Sequence, residues 1–443
     1  MVISFAGAIA AGTLVLYLAS ASGPADKASS GIDVLFTVTS AICVTGLTVR
    51  DTGGDFTVLG QAIILSLIQV GGLGILTFSN LVLYLQTGRM SLQQRQMVQD
   101  TIGMSPSTTA ASLLIRVVLY ALTIEMAGAI VLTARFAMDF PLAHAAWLGV
   151  FHAVSAFCNA GFGLFSDNLA QYRGDVVVTG TIMILIVLGG FGFVVLSDVG
   201  GWIFSLNRGP RRRIVYQSRV VLLTSGVLIL AGAIAVFALE TRGAVSTGPL
   251  PLRILDSFFL AVTSRTAGFN TIATGYLTNG TLFVVIMLMA IGGSPGSTAG
   301  GFKTTTLATM FALILSRARN RAKVELLSRT IPEETVTRAM LSLTAFMLAA
   351  AAATMVLQVT ELSGAGHHLN RGKFLEYAFE VVSALGTVGL SAGVTPSLTT
   401  PGKLVIVACM FVGRLGPLII AASFVGSRRG PEITYPEDDL SIG

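Results

Sequence analysis

Apolar and polar positions alternate in blocks along this chain, and the order of the blocks recurs four times: a long apolar run, a shorter one ending in small and polar residues, a second long run, then a basic connection. The first unit predicts an outer helix near 3–20, a short helix near 32–41 and an inner helix near 58–86; the second predicts 113–136, 147–157 and 176–206. Corresponding segments in the third are 220–239, 252–262 and 282–315, and in the fourth 336–359, 374–385 and 404–427. The outer and inner runs are long enough for a hydrocarbon core about 30 Å thick. The short ones cannot span it, yet are too apolar for surface loops. Eight spans and four re-entrant half-helices follow.

The short runs end alike. Ser40-Ala41-Ile42-Cys43-Val44-Thr45-Gly46-Leu47 is echoed by Ser155-Ala156-Phe157-Cys158-Asn159-Ala160-Gly161-Phe162, by Thr263-Ser264-Arg265-Thr266-Ala267-Gly268-Phe269, and by Ser383-Ala384-Leu385-Gly386-Thr387-Val388-Gly389-Leu390. The glycines recur at intervals of 115, 107 and 121 positions, so the unit is a membrane module and not a short solenoid repeat. Non-helical backbone survives at membrane depth where it lines a wet cavity, and its carbonyls can there replace water around a cation. Glycine allows the required dihedrals and the close approach of several backbones. The fold expected is therefore an all-α integral membrane protein of four pore repeats, 1–88, 105–208, 215–318 and 333–427, arranged pseudo-four-fold about a central pore, with a tail at 428–443.

Composition agrees: 53% of the residues are hydrophobic and 11% charged. The net charge of +6 resides in loops, which argues for membrane anchoring and against nucleic acid. Arg89 and Arg95 follow the first unit, Arg208, Arg211, Arg212, Arg213 and Arg219 the second, Arg317, Arg319, Arg321, Lys323 and Arg329 the third, and Arg428 and Arg429 the last run. Since cytoplasmic loops retain Lys and Arg, these connections and the C-terminus are expected in the cytoplasm, with the half-helices entering from outside. The apolar run after Met1 lacks the basic flank of a signal peptide and is kept as a span. Cys43, Cys158 and Cys409 lack metal-ligand spacing and read as small core side chains.

Two features break the apolar pattern. The third inner run is interrupted by Gly292-Gly293-Ser294-Pro295-Gly296-Ser297-Thr298-Ala299-Gly300-Gly301, followed by Phe302 and Lys303. A phosphate-binding loop is out of frame here and would follow a soluble strand, so a helix broken within the membrane is the better reading, and no nucleotide is assigned to this chain. Arg414 lies about ten residues from either end of the fourth inner run, where a charge needs partners; broken-helix carbonyls suit it, and snorkelling is the competing account. Glu125 and Asp198 also lie in apolar runs, where packing against local donors and a transport role are equally open. Glu380, in the fourth short helix, either backs the glycine segment or packs structurally. His144, His152, His367 and His368 have no metalloenzyme spacing, which disfavours an enzyme.

Thr387-Val388-Gly389 matches the core of the potassium-channel filter, and the four-unit pattern resembles the Trk/Ktr/HKT superfamily of potassium transporters over nearly the whole chain. Similarity is greatest to its KtrB branch: Thr45-Gly46-Leu47-Thr48-Val49 with Asp51-Thr52-Gly53, Phe56-Thr57-Val58, Ile68-Gln69-Val70-Gly71-Gly72-Leu73-Gly74, Arg265-Thr266-Ala267-Gly268-Phe269-Asn270, the run at 292–301, Gly413-Arg414-Leu415-Gly416-Pro417 and Ile433-Thr434-Tyr435-Pro436 all look like its motifs. The extra N-terminal helix pair typical of the Trk branch has no counterpart, which favours the Ktr branch. The filter glycines are followed by Leu47, Phe162, Phe269 and Leu390, with no second glycine of the TVGYG signature, so fewer ion sites are expected than in a potassium channel.

The resemblance implies potassium uptake through a filter of backbone carbonyls at Val44, Thr45, Gly46, Asn159, Ala160, Gly161, Thr266, Ala267, Gly268, Thr387, Val388 and Gly389. It makes the 292–301 run, Lys303 and Arg414 an intramembrane gate, with potassium as the transported ion and sodium as a candidate second ion. It also implies a homodimer in the bacterial plasma membrane beneath a cytosolic nucleotide-binding ring subunit of the KtrA type. A coupled secondary carrier with alternating access is the alternative, but such carriers show inverted two-fold repeats.

Overall fold

The computed structural model describes residues 2–21, 30–74, 110–208, 213–362, 364, 366, 368 and 370–416. Several sequence assignments lie outside the described residues: the first inner run beyond 74, the fourth beyond 416, His367, Arg89, Arg95, Arg211, Arg212, Arg428, Arg429, Pro417 and the tail.

The first unit contains α1 (Val2–Ala21), α2 (Gly31–Ile42), the single turn α3 (Thr52–Asp55) and α4 (Val58–Leu73). In the second are α5 (Ala110–Phe136), α6 (Leu142–Phe157), α7 (Val176–Phe191) and α8 (Phe193–Arg208). The third has α9 (Tyr216–Leu239), α10 (Leu250–Thr263), α11 (Asn279–Ala290) and α12 (Thr304–Ala318). A two-stranded hairpin, β1 (Glu325–Leu326) and β2 (Arg329–Thr330), leads to α13 (Glu333–Leu362), α14 (Lys373–Gly386) and α15 (Thr400–Leu415) of the fourth.

Among the described residues, α1, α5, α9 and α13 contain segments long and apolar enough to cross a membrane, and the bent pair α7–α8 offers a fifth crossing. The protein is a multi-pass helical membrane protein. Only 17% to 33% of each of the four long segments is buried, which puts these helices at the periphery, where their exposed leucines, valines and methionines face lipid.

Each inner helix starts with a side-chain cap. Thr57 accepts from the Gly60 amide, Asp175 from those of Val177 and Val178, Thr278 from Thr281 and Thr399 from Gly402. Three of these caps are held by the outer helix of the same unit: Arg135 Nε donates to Asp175 at 2.5 Å, Glu240 accepts from Thr278 N at 2.7 Å, and Glu361 accepts from Thr399 N at 3.1 Å. The inner helices then pack on the short helix of the next unit: α4 on α6, α7 on α10 and α11 on α14, while α15 returns to α2. A salt bridge closes that last contact, Lys403 Nζ to Asp33 Oδ1 at 2.8 Å.

One expectation about helix continuity fails. The sequence predicts a single inner helix over 176–206, but α7 ends at Phe191 and α8 departs at 107°. Gly192 between them has φ 80° and ψ 155°, which an α-helix cannot contain. The backbone groups released at the break are used by the third unit: Gly190 O accepts Ser294 N at 3.0 Å, Gly189 O accepts Thr298 N at 3.4 Å, and Phe193 N donates to Gly296 O at 3.3 Å. Similar glycines end α4 and α15, Gly74 at φ 83° and Gly416 at φ 86°. The interruption foreseen for the third inner run is thus one case of a wider pattern.

Candidate ion-binding site

At the end of each short helix the chain reverses handedness twice in three residues. Val44, Asn159, Thr266 and Thr387 have φ of 55°, 58°, 69° and 49°, and two residues later Gly46, Gly161, Gly268 and Gly389 have φ of 93°, 70°, 79° and 93°. Left-handed φ is rare for non-glycine residues, and at Val44, Thr266 and Thr387 it falls on a β-branched side chain, where it persists only if its surroundings over-determine it. All four segments carry this conformation at matched positions.

The segments meet in a closed ring. A β-carbon placed on Gly46 would lie 2.4 Å from Ala160 O, one on Gly161 would lie 2.7 Å from Ala267 O, one on Gly268 would lie 2.4 Å from Val388 O, and one on Gly389 would lie 2.2 Å from Thr45 O. Each glycine Cα therefore abuts the carbonyl preceding the next glycine, in chain order and back to the first. All four glycines line one cavity of about 630 Å³, which Asp51 and Asp167 also border. The hydroxyls of Thr45, Thr266 and Thr387 are buried and make no hydrogen bond among the described residues.

Hydroxyls on the short helices hold the ring. Ser40 Oγ accepts from Gly46 N at 3.0 Å and Ser383 Oγ from Gly389 N at 3.1 Å; Ser155 Oγ donates to Phe162 O at 2.7 Å and Thr263 Oγ1 to Phe269 O at 2.6 Å. From Thr263 to its glycine is one residue shorter than from Ser40, Ser155 or Ser383 to theirs. Behind the second segment His152 accepts from Leu164 N at 3.4 Å; behind the fourth, Glu380 accepts from Ala392 N at 3.1 Å, from Thr395 Oγ1 at 2.7 Å and from Ser391 Oγ. Asn168 ties two segments together, donating to Gly161 O at 3.4 Å and accepting from Asn270 N at 3.2 Å. Sequence reasoning gave no role to His152 or Asn168; the available signal was that His152 and Glu380 each stand nine residues before a repeat glycine.

The 292–301 run lies against this ring. A β-carbon on Gly300 would be 2.1 Å from Thr387 Oγ1, and Thr298 Oγ1 donates to Phe157 O at 3.3 Å. A parallel bridge between Ile291 and Phe302 closes the loop at its base, and Lys303 Nζ donates to Ala299 O at 2.8 Å inside it. Arg414 reaches in from α15, its guanidinium donating to Thr298 O and to Gly71 O at the end of α4. Gly292, Gly293, Ser294, Pro295, Gly296, Ser297, Ala299 and Gly301 thus stand in one loop between α7, α15 and the fourth glycine segment.

The remaining membrane carboxyls have local partners. Glu125 accepts from Gln69 Nε2, and Asp198 accepts from Val215 N at 2.8 Å. Cys43, Cys158 and Cys409 are buried and unoxidised.

A membrane protein of crossing and half-crossing helices, with non-helical carbonyl-rich backbone at its centre, has the architecture of an ion transporter. This chain belongs to the TrkH family of cation transport proteins, whose family model matches residues 8–427. Its nearer likenesses place it with the KtrB-type members: it is 36% identical to the Ktr system potassium uptake protein B of Bacillus subtilis, over 94% of this chain and 91% of that one. It is 35% identical to the potassium/sodium uptake protein NtpJ of Enterococcus hirae, covering 98% and 96% of the two chains. The crystal structure of the potassium transporter TrkH from Vibrio parahaemolyticus shares the fold, with a TM-score of 0.72 at 17% identity over 95% of this chain and 82% of that one. The protein is therefore an ion transporter and not an enzyme.

Proposed function

We propose that this chain is a potassium-uptake subunit whose selectivity filter is the ring of four glycine segments. The observation that carries the reading is the closure of that ring, in which the carbonyls of Thr45, Ala160, Ala267 and Val388 each abut the preceding unit's glycine, Thr45 closing on Gly389 of the fourth. Four oxygens from four strands about one axis are the donor set that replaces the hydration shell of a weakly hydrated monovalent cation. Potassium is the choice favoured by the named activities of the similar proteins, and NtpJ's name makes sodium the candidate second ion. In this reading the four units, 1–88, 105–208, 215–318 and 333–427, are the quarters of a pseudo-four-fold pore, and the 428–443 tail and basic connections lie in the cytoplasm.

The 292–301 loop serves as the gate. It lies against Thr387 and is braced by Arg414, and two cationic side chains, Lys303 and Arg414, oppose cation passage there. Opening is assigned to a separate KtrA-type ring subunit on a homodimer of this chain, since the relatives are components of a Ktr system.

The test is Gly→Ser at positions 46, 161, 268 and 389, singly. Each should weaken apparent potassium affinity or discrimination against sodium in cells lacking other uptake systems, with insertion intact. Wild-type affinity and selectivity in all four variants would overturn the assignment.

A further inference from the structure

Glu125 is a buried membrane carboxyl for which the filter and gate give no use. It lies in the middle of α5, 4% exposed, and an acid at such depth is among the costliest residues to insert. Gln69 Nε2, on α4 of the preceding unit, donates to both its oxygens, at 3.1 and 3.2 Å. Cys158, the residue that caps α6 just before the left-handed Asn159, places its thiol 3.7 Å from Glu125 Oε1. One carboxyl thus joins an outer helix, an inner helix and the end of a short helix from two units.

What it joins is the end of α4. That helix ends at Leu73 with Gly74 at φ 83° and ψ 126°; Gly71 O receives Gly74 N at 3.2 Å and the guanidinium of Arg414. Gln69 stands two residues before Gly71 in this final turn. Gly72 in the same turn sits on Cys158, where a β-carbon would come within 2.5 Å of Sγ. Helix ends fray unless contacts hold them from the side. The Glu125–Gln69 pair is that brace.

We propose that Glu125 is a positioning residue for the closed gate: through Gln69 it fixes the last turn of α4, so that the Gly71 carbonyl stays where Arg414 needs it. Arg414 in turn holds Thr298 of the loop. The connection runs from the lipid-facing helix of one unit to the gate without touching the filter carbonyls. The inference rests on reading the 292–301 loop as the gate.

The experiment measures basal potassium flux of the full-length protein in liposomes without a ring subunit. Glu125→Leu and Gln69→Leu should each raise basal flux by up to about tenfold, the shift expected when one buried hydrogen bond is lost. Glu125→Gln, which keeps an acceptor for the Gln69 amide, should stay within about twofold of wild type, as fits a loss well under one such bond. Apparent potassium affinity and sodium competition should not move in any of the three. Arg414→Ala runs alongside: if it raises flux while both leucine variants leave it at the wild-type level, the brace is refuted and the gate stands. If Arg414→Ala raises no flux, the gate reading fails and this inference with it. Should Glu125→Leu not insert, Gln69→Leu decides alone. A change in ion selectivity equal to the change in flux would also overturn the proposal, because it would put Glu125 behind the filter.

Discussion

His152 and Glu380 stand nine residues before Gly161 and Gly389, and each accepts the backbone N–H three residues beyond its glycine, Leu164 N at 3.4 Å and Ala392 N at 3.1 Å. The imidazole does so as its Nδ1–H tautomer, since Nδ1 lies 2.8 Å from Leu148 O and donates to it. One mechanical task, holding the chain as it leaves the glycine segment, is performed by an aromatic base in one unit and a carboxylate in another. Glu380 carries the heavier load: besides Ala392 N it receives the hydroxyls of Ser391 and Thr395.

That load makes Glu380 the more sensitive of the two. Glu380→Ala leaves the half-buried Ala392 amide and the hydroxyls of Ser391 and Thr395 without their acceptor, at up to about 1–3 kcal/mol for each group that finds no substitute. It should weaken apparent potassium affinity and admit sodium, while Glu380→Gln, retaining one acceptor oxygen, should be milder. Potassium uptake against external potassium, with sodium as competitor, reads both; unchanged selectivity in the alanine variant would detach Glu380 from the filter.

Asn168 acts between segments instead of behind one. Its amide and carbonyl engage Gly161 O and Asn270 N at 3.4 and 3.2 Å, so Asn168→Ala severs a link between the second and third segments. Hydrogen bonds of this kind are worth about 0.5–1.5 kcal/mol, which corresponds to a loss of roughly two- to tenfold in potassium affinity. Asn168→Asp, which replaces the donor to Gly161 O with a negative charge, should be at least as damaging. Isotope-flux competition would show either effect, and an alanine variant with wild-type affinity would assign the link to loop packing alone.

Two glycines on α7 separate close approach from simple helix propensity. A β-carbon on Gly189 would lie 1.9 Å from Phe157 O, whereas one on Gly180 would have nothing within 4 Å. Gly180→Ala should leave the detergent melting temperature level or raise it, since alanine favours a helix by about 1 kcal/mol over glycine. Gly189→Ala should lower it by several degrees or prevent folding, because the helix end and the short helix must separate. Equal melting of both variants would contradict the packing.

The helical membrane fold was legible because membrane burial writes itself in runs of apolar residues, and the close approach of the glycine segments because glycine lets backbones pass close together. Helix continuity was less legible. Gly189, Gly190 and Gly192 stand within an apolar run that predicts one continuous helix, and the loop at 292–301, about a hundred positions away, takes up the backbone groups at the break. His152 escaped for a different reason: it shares a position and a task with Glu380 but no chemistry, and a repeat search compares residue types. Glu125 could be flagged as a charge in an apolar run, but its partner Gln69 comes from another unit, which helix periodicity does not register.

The gate reading makes a prediction with two distinguishable signatures. Arg414 hydrogen-bonds the loop through Thr298 O and makes no hydrogen bond to the Thr387 hydroxyl of the proposed filter, whereas Gly300 lies so near Thr387 that a β-carbon would come to 2.1 Å of that hydroxyl. Arg414→Ala should therefore raise basal potassium flux, by releasing the loop and removing a positive charge from the path, with sodium discrimination preserved. Gly300→Ala should raise flux as well, but only by displacing the loop or Thr387, so it should also erode discrimination. Shortening the 292–301 run by two or three residues should follow the arginine variant if the loop obstructs the path. These are flux measurements on the purified chain without a ring subunit, followed by potassium and sodium competition. Unchanged basal flux in correctly inserted Arg414→Ala and shortened-loop variants would mean that the loop does not close the pathway, and the gate would have to be sought elsewhere in the protein.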